Sequence, residues 1–124
     1  MAHHETDSRK SAAGFPDLCV ATDRVWFAEL KAADGKPLRI EQARWIVKIG
    51  KAGGEVYVWR PHDLDEAMRV IGRGRVTAGV VRAITEAQAR IDKWDAELAS
   101  DPVKRYSRIG GKYRSGKQRQ RRKR

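Results

Sequence analysis

One acidic residue, Asp17, precedes a short apolar run, and Glu29 and Lys31 end a second apolar run after the break at Thr22–Arg24. If this break is the loop of a β-hairpin, the antiparallel register places Asp17 directly opposite Glu29. Opposed side chains lie about 4.5–5.5 Å apart at Cβ, and Glu29 and Lys31 share a face because strand side chains alternate. The spacing therefore predicts that two carboxylates and an ammonium group converge. A one-residue error in the loop would turn Asp17 to the other face.

Two carboxylates in this arrangement suit Mg²⁺ or Mn²⁺, ions that keep several waters and share the phosphates of a substrate. Asp17 and Glu29 would be ligands, and the backbone carbonyl of Leu30 could complete the coordination shell. Such an ion lowers the pKa of a bound water and offsets phosphate charge, while Lys31 would orient the water or stabilise charge. The alternative is a surface ion pair between Glu29 and Lys31. It is disfavoured because both residues end an otherwise apolar strand, on the face of Phe27.

Further polar side chains flank this pair. Gln42 lies one turn into the helix predicted after the hairpin, where it could reach a metal-bound water or a phosphate; the alternative is an exposed helix position. A polar segment before Asp17 could contact a phosphate or form a solvated loop, and its candidate residues are Arg9, Lys10 and Ser11.

The net charge of +11 is concentrated at the C-terminus. Of the 27 Lys and Arg residues, 11 follow position 103 and no acidic residue does, which leaves 16 basic and 16 acidic residues before it. A basic tail attracts nucleic acid irrespective of its sequence, through phosphate charge and counterion release; the alternative is a solvated tail with no dedicated partner. We expect residues 101–124 to be disordered and to bind DNA through Lys104, Arg105, Arg108, Lys112, Arg114, Lys117, Arg119, Arg121, Arg122, Lys123 and Arg124.

The bulk properties limit the class of protein. The length of 124 residues predicts one small domain with one modest core. No apolar run is long enough for a membrane span, and the polar start does not resemble a signal peptide. The single cysteine, Cys19, excludes an internal disulfide and is predicted to be a buried thiol. These properties fit a cytoplasmic protein, in a bacterium or in the host of a phage, with no small-molecule cofactor.

The elements that would position these residues follow from periodicity and turn signals. Both faces of the hairpin are apolar, so we expect it to be buried on both sides, as in the middle of an α/β sheet. The third strand should run parallel to its neighbour through the helical crossover. The predicted elements are strands at Asp17–Ala21, Val25–Lys31 and Glu55–Arg60, and helices at Ile40 to about Ala52, Leu64–Ile71 and about Ala78–Ala99.

Two finer predictions concern the last helices. Asp63, with Glu66 three residues later, resembles a capping box at the start of the second helix. In the last helix, apolar residues alternate at four and three positions, which is a heptad pattern. This helix could dock onto the core or pair with a second copy, since three heptads are marginal for a coiled coil. The heptad residues are Val80, Ile84, Ala87, Ile91, Trp94 and Leu98.

Residues 8–71 resemble the VRR-NUC domain of the PD-(D/E)XK nuclease superfamily, especially its small stand-alone phage and bacterial members. The resemblance covers about half of the chain, and its segments occur in order with compact spacing. The matching segments are Asp7-Ser8-Arg9-Lys10-Ser11, Gly14-Phe15-Pro16-Asp17, Phe27-Ala28-Glu29-Leu30-Lys31, Glu41-Gln42 with Trp45, and Gly54-Glu55-Val56-Tyr57-Val58-Trp59-Arg60-Pro61.

The resemblance implies an α/β, restriction-endonuclease-like mixed sheet and Mg²⁺- or Mn²⁺-dependent DNA cleavage, with homodimeric members that act on branched DNA. It implies that Asp17 and Glu29 are metal ligands, Lys31 the catalytic lysine and Gln42 an accessory active-site residue. The nuclease core would occupy 1–72, a basic linker 73–77 and an added amphipathic helix 78–100. Family members normally begin with a helix that carries a further glutamate. We therefore expect either that the true start lies upstream or that the chain is truncated and weak or inactive; an inactive chain would be a DNA-binding accessory protein on the same fold.

Overall fold

The computed structural model describes residues 12–101 and 103, together with the backbone of Ala2–His4. Its architecture is mixed α/β, as predicted. A short 3₁₀ helix at Pro61–Asp63 precedes α2. The elements are β1 (Ala2–His4), β2 (Leu18–Ala21), β3 (Val25–Leu30), α1 (Ile40–Lys51), β4 (Glu55–Trp59), α2 (Leu64–Gly72) and α3 (Thr77–Ser100).

The chain divides into two compact units within α3, Met1–Ile91 and Asp92–Arg124. The first unit contains the sheet, α1, α2 and the first part of α3. The described part of the second unit is the end of α3, with Asp101 and Val103. The predicted phosphate contacts at Arg9, Lys10 and Ser11 and the predicted basic tail lie outside the described residues.

The strands of the first unit form one sheet in the order β1-β2-β3-β4. The β2/β3 hairpin is antiparallel and pairs Leu18 with Ala28 and Ala21 with Val25, which is the predicted register. β4 is parallel to β3, as a right-handed crossover through α1 allows, and this prediction is confirmed. The turn length therefore fixed which residues of the two strands face each other.

The predicted burial of the hairpin on both sides is correct only for the middle of β3. Trp26, Ala28 and Glu29 are buried, whereas every residue of β2 is half-exposed or exposed. Cys19 is half-buried, so the prediction of a buried thiol is wrong. The reason is that the helices pack over β3 and β4, and β2 has only the short strand β1 as its other neighbour.

Two apolar clusters form the core of the first unit, one on each face of the sheet. Helix α3 contributes to both, because Ala83 and Ala87 belong to one cluster and Val80 to the other. The first part of α3 therefore packs against both faces of the sheet. Of the two alternatives for the heptad pattern, the structure shows docking onto the core over this part of α3. The clusters are Leu38, Ala43, Ile46, Val47, Val56, Val58, Ala83 and Ala87, and Trp26, Ala28, Tyr57, Trp59, Val70 and Val80.

A buried acidic residue, Glu55, connects the hairpin loop to α2 and α3. Its carboxylate accepts hydrogen bonds from Arg24 Nε (2.8 Å), Arg24 Nη2 (3.1 Å) and Tyr57 Oη (2.6 Å). Arg24 also donates to the carbonyl of Val70, and Tyr57 Oη accepts the backbone N–H of Val76. Burial, and the hydrogen bond to Glu55, raise the pKa of Tyr57 to about 12. The buried charge is tolerated because it is paired and hydrogen-bonded.

The predicted capping box at the start of α2 is wrong. Asp63 makes no side-chain cap hydrogen bond to α2, and its carboxylate accepts the backbone N–H of Arg60 (2.9 Å). Glu66 instead accepts a hydrogen bond from Trp59 Nε1 (2.9 Å) and pairs with Arg82 on α3. Asp63 therefore caps the preceding 3₁₀ helix, and Glu66 is held by partners from β4 and α3.

Candidate active site

The hairpin brings the two predicted carboxylates together. Asp17 lies one position beyond the Leu18–Ala28 pair, on the register that continues to Glu29. Its Oδ2 accepts the backbone N–H of Leu30 at 2.8 Å, which fixes the carboxylate beside the end of β3. The juxtaposition predicted from the loop length is therefore present.

Glu29 is buried, with a side chain that is 3% exposed. Burial raises its pKa to about 8, and the negative charge of Asp17 and a hydrogen bond to it act in the same direction. The charges of Lys31 and Arg39 lower this pKa. Burial beside a second carboxyl group therefore favours the protonated form of Glu29, because two adjacent carboxylates cannot both ionise readily.

Gln42 contacts the site directly. It is 7% exposed, which rules out the alternative of a solvent-exposed helix position. Its Nε2 donates to Glu29 Oε2 at 2.6 Å, and its Oε1 accepts the backbone N–H of Arg39 at 2.8 Å. Both ends of the amide are thus occupied, so α1 orients the Glu29 carboxyl group through a side chain that also caps its own first turn.

A glycine and an aromatic cluster hold the segment before Asp17 against α1. Gly14 has φ +81°, and a Cβ at this position would lie 2.6 Å from the backbone nitrogen of Gln42. Phe15 packs edge-on against Trp45, with ring centroids 5.1 Å apart, and Trp45 Nε1 donates to the carbonyl of Ala13 at 3.1 Å. These contacts locate Asp17 relative to Gln42. Trp45 is half-buried, so it serves this local packing rather than lying in the core.

Lys31 follows directly on β3, and its backbone N–H donates to the carbonyl of Trp59 at 2.8 Å. The positive charge of Lys31 lowers the pKa of Glu29, against the larger effect of burial. Residues 30 and 31 also line a shallow groove of about 250 Å³, together with Trp59, Arg60, Pro61, Asp63, Leu64 and Ala67. The structure therefore brings together Asp17, Glu29 and Gln42, and Lys31 lies two positions after Glu29 on the same chain segment.

Sequence reasoning missed two contributors. Arg39 supplies a second positive charge near Glu29 and provides the backbone N–H that Gln42 binds. Its position immediately before α1 was the available signal. Phe15 was identified only as part of a matching segment, and its contact with Trp45 depends on the approach of the loop to α1, which sequence spacing does not give.

The donor set determines what the site could hold. Within residues 12–101, no three His, Cys, Asp or Glu side chains are grouped closely enough to ligate a metal ion. Asp17 and Glu29 offer two hard oxygen groups, and the carbonyl of Leu30 is the predicted third donor. Such a set fits a divalent ion that keeps waters, because Mg²⁺ is usually bound by one or two carboxylates plus substrate phosphates. A cation beside this pair would oppose the effect of burial and lower the pKa of Glu29.

Comparison with known proteins adds no family assignment. The chain matches no protein-family model, no curated protein and no solved structure. Among the residues that the structure describes, no helix is long and apolar enough to cross a membrane.

Proposed function

We propose that this chain is a Mg²⁺- or Mn²⁺-dependent endodeoxyribonuclease, built on a restriction-endonuclease-like fold of the VRR-NUC type. The observation that carries the proposal is the convergence of Asp17 and Glu29 across the hairpin, beside Lys31. Two acids and a lysine at the end of adjacent strands are the arrangement that phosphodiester hydrolysis needs. The strand order and the parallel β3/β4 pair are compatible with such a fold.

Each residue has a distinct role in this proposal. Asp17, Glu29 and the carbonyl of Leu30 would hold the ion, which lowers the pKa of a bound water and offsets phosphate charge. Lys31 would orient the attacking water or stabilise the developing charge. Gln42 is a positioning residue, because its amide fixes the Glu29 carboxyl group at 2.6 Å. Glu29 would release its proton to solvent when a cation occupies the site.

DNA is the proposed substrate because the charge distribution favours a polyanion. All 11 excess positive charges lie after position 103, where they would increase affinity without selecting a sequence. Branched DNA is the substrate form that the resemblance implies. A two-fold dimer would suit such a substrate, since it presents two sites to two strands.

A second function is favoured by the incompleteness of the donor set. Only two carboxylates meet among the described residues, and one of them has a pKa of about 8. A neutral carboxyl group is a poor ligand, so the same fold could serve as a DNA-binding accessory protein with weak or no cleavage. In this alternative, the basic tail would bind DNA and Lys31 would have no catalytic role.

A nicking assay on branched and linear DNA, with Mg²⁺, Mn²⁺ or EDTA, separates the two functions. We expect metal-dependent cleavage by the wild type, and a loss of at least about 100-fold in Glu29→Gln and Lys31→Ala. Lys36→Ala is the matched control, because it removes the same charge from the exposed turn before α1. If the wild type cuts no better than Lys31→Ala but still binds DNA, the accessory function is correct and the nuclease proposal is wrong.

A further inference from the structure

One side of helix α1 carries a row of basic residues. Arg44, Lys48 and Lys51 are four and three positions apart, so they lie along the same side of the helix. Lys48 and Lys51 are exposed and Arg44 is half-buried. The core takes a different side of the helix, because Ala43 and Ile46 are buried there. We call Arg44, Lys48 and Lys51 the α1 basic face.

The α1 basic face belongs to a local excess of positive charge. Residues 36–51 contain five basic residues and one acidic residue, a net charge of +4, although residues 1–103 as a whole are formally neutral. Arg39 is one of the five, and its charge lowers the pKa of Glu29 in the candidate site. The excess of charge therefore begins beside the candidate site and continues to the end of α1.

The α1 basic face has little internal use for its charge. Among residues 12–101, none of the ion pairs includes one of its three residues. Arg44 and Lys48 repel each other, because like charges four positions apart destabilise a helix. The helix dipole favours Lys48 and Lys51 in the last turn, but Arg44 lies in the middle of the helix. An unpaired row of like charges is what a polyanionic partner would stabilise.

Contacts connect the α1 basic face to the candidate active site. Lys48 Nζ lies 5.6 Å from the centre of the Trp45 ring, and Trp45 packs edge-on against Phe15 of the loop before β2. At the start of the same helix, Gln42 donates its hydrogen bond to Glu29 at 2.6 Å. One helix therefore carries both the basic row and the amide that positions the Glu29 carboxyl group.

We propose that the α1 basic face binds the phosphodiester backbone of DNA next to the bond that is cleaved. This inference rests on the proposed function, which makes DNA the substrate. The row spans about 10 Å of helix, and one strand of a duplex presents a phosphate about every 3.4 Å along its axis. The row is thus long enough for three separate phosphate contacts. Such contacts carry no sequence information, but they fix the position of the DNA relative to Glu29.

The packing of α1 distinguishes DNA from a membrane as the partner. A helix that lies on a membrane inserts its apolar side among the lipids. The apolar side of α1 is in the core of the first unit, so only its basic side is available. Phosphates that reach this side must therefore come from a ligand that lies over the helix, as a nucleic-acid backbone does.

Salt-dependent binding of DNA by the full chain tests the proposal, by fluorescence anisotropy in EDTA. The test variant combines Arg44→Gln, Lys48→Gln and Lys51→Gln. The loss of three phosphate contacts should reduce the slope of log K against log salt by about 2.7 for duplex DNA. Binding at low salt should weaken at least tenfold. An unchanged slope overturns the proposal.

The matched control removes three positive charges from the other side of the sheet. It combines Arg69→Gln, Arg73→Gln and Arg75→Gln, all at exposed positions of α2 and the segment after it. Residues 64–75 contain two acidic residues beside these three basic ones, so this region is less basic than α1. We expect the control to reduce the slope by less than about 1. An equal decrease in both variants would mean that the location of the charges is irrelevant, and the proposal would be wrong.

Two further variants separate charge from folding. Arg44→Lys combined with Lys48→Arg and Lys51→Arg preserves every charge and should keep the slope of the wild type. Lys51→Gln alone changes one exposed side chain at the end of α1, and should reduce the slope by about 0.9. A charge-preserving variant that loses the slope, or a Lys51→Gln variant that keeps it, contradicts the proposed contacts.

Binding in EDTA is independent of cleavage, so the two proposals can fail separately. A chain that cuts no DNA, yet loses slope when the α1 basic face is neutralised, retains this DNA-binding surface without the nuclease function. A chain that cuts DNA, yet keeps its slope in the same variant, retains the nuclease function and binds DNA through other residues.

Discussion

Two acidic side chains meet at the candidate site, and neighbouring groups stabilise the pair. Asp17 accepts a hydrogen bond from the N–H of Leu30, Glu29 accepts one from the amide N–H of Gln42, and the raised pKa of Glu29 favours its protonated form beside Asp17. The buried acid is thus satisfied without a cation, yet only by holding a proton at a pH where carboxyl groups are ordinarily ionised. In the proposed function, a cation would replace this proton.

The stability of the ion-free protein should consequently depend on Glu29. Its folded pKa of about 8 lies above the ordinary value of 4.5, so its stabilising contribution is complete below about pH 4.5 and is lost as pH rises through 8. Glu29→Gln mimics the protonated group, because an amide can accept from Gln42 and donate to Asp17. In EDTA, we expect the free energy of unfolding of Glu29→Gln to rise relative to wild type by about 1–3 kcal/mol between pH 5 and pH 9.

Urea denaturation of both proteins across this pH range measures that difference. The comparison cancels the titration of groups that the two proteins share. If the difference in the free energy of unfolding does not change with pH, Glu29 is ionised in the folded protein. Its pKa is then not raised by burial.

At the scale of elements, the site depends on the contact between the loop before β2 and the first turn of α1. Gly14 makes this contact possible, because its φ is +81° and a Cβ would overlap the backbone of Glu41 and Gln42. Gly35 has a similar φ of +76°, but a Cβ there would meet no atom within 4 Å. A substitution at Gly35 therefore tests backbone strain alone, whereas a substitution at Gly14 tests backbone strain together with steric overlap.

Gly35→Ala should cost about 1 kcal/mol, which is the strain of a left-handed backbone at an L-residue. Gly14→Ala should cost roughly 2 kcal/mol more, and should also displace Asp17 from Gln42. Denaturant unfolding gives the two values, and amide exchange of Leu30 reports whether Asp17 still accepts its N–H. Equal costs at the two positions would mean that the loop does not pack closely on α1.

The elements also show what the sequence can and cannot predict. The register of the hairpin was predictable because a three-residue loop pairs Ala21 with Val25, and this pairing places Leu18 opposite Ala28. Which strand faces become buried was not, because this depends on where the helices pack, and β2 lies beyond them. The predicted Asp63–Glu66 capping box is absent for a similar reason. Trp59 and Arg82 both bind the Glu66 carboxylate, which is then not available to cap α2. Gln42 was identified as a candidate, but its burial follows from the position of α1 over β3.

At the scale of the whole molecule, the excess positive charge and the candidate catalytic residues lie in different parts of the chain. Residues 1–103 are formally neutral and contain the candidate site, whereas residues 104–124 carry the entire excess of 11 positive charges. Affinity for DNA and cleavage of DNA should therefore be separable. A variant that lacks 104–124 retains Asp17, Glu29 and Lys31, but loses the charges that attract phosphates over long range.

Deletion of 104–124 should weaken DNA binding and flatten its dependence on salt, because each lost phosphate contact reduces the slope of log K against log salt by about 0.9 for duplex DNA. A full-length variant with Gln in place of the 11 basic residues is the matched control for chain length. Fluorescence anisotropy at several salt concentrations gives the slopes. If both variants bind as the wild type does, the DNA-binding charges lie elsewhere, and the neutral part of the chain must contain a nucleic-acid surface of its own.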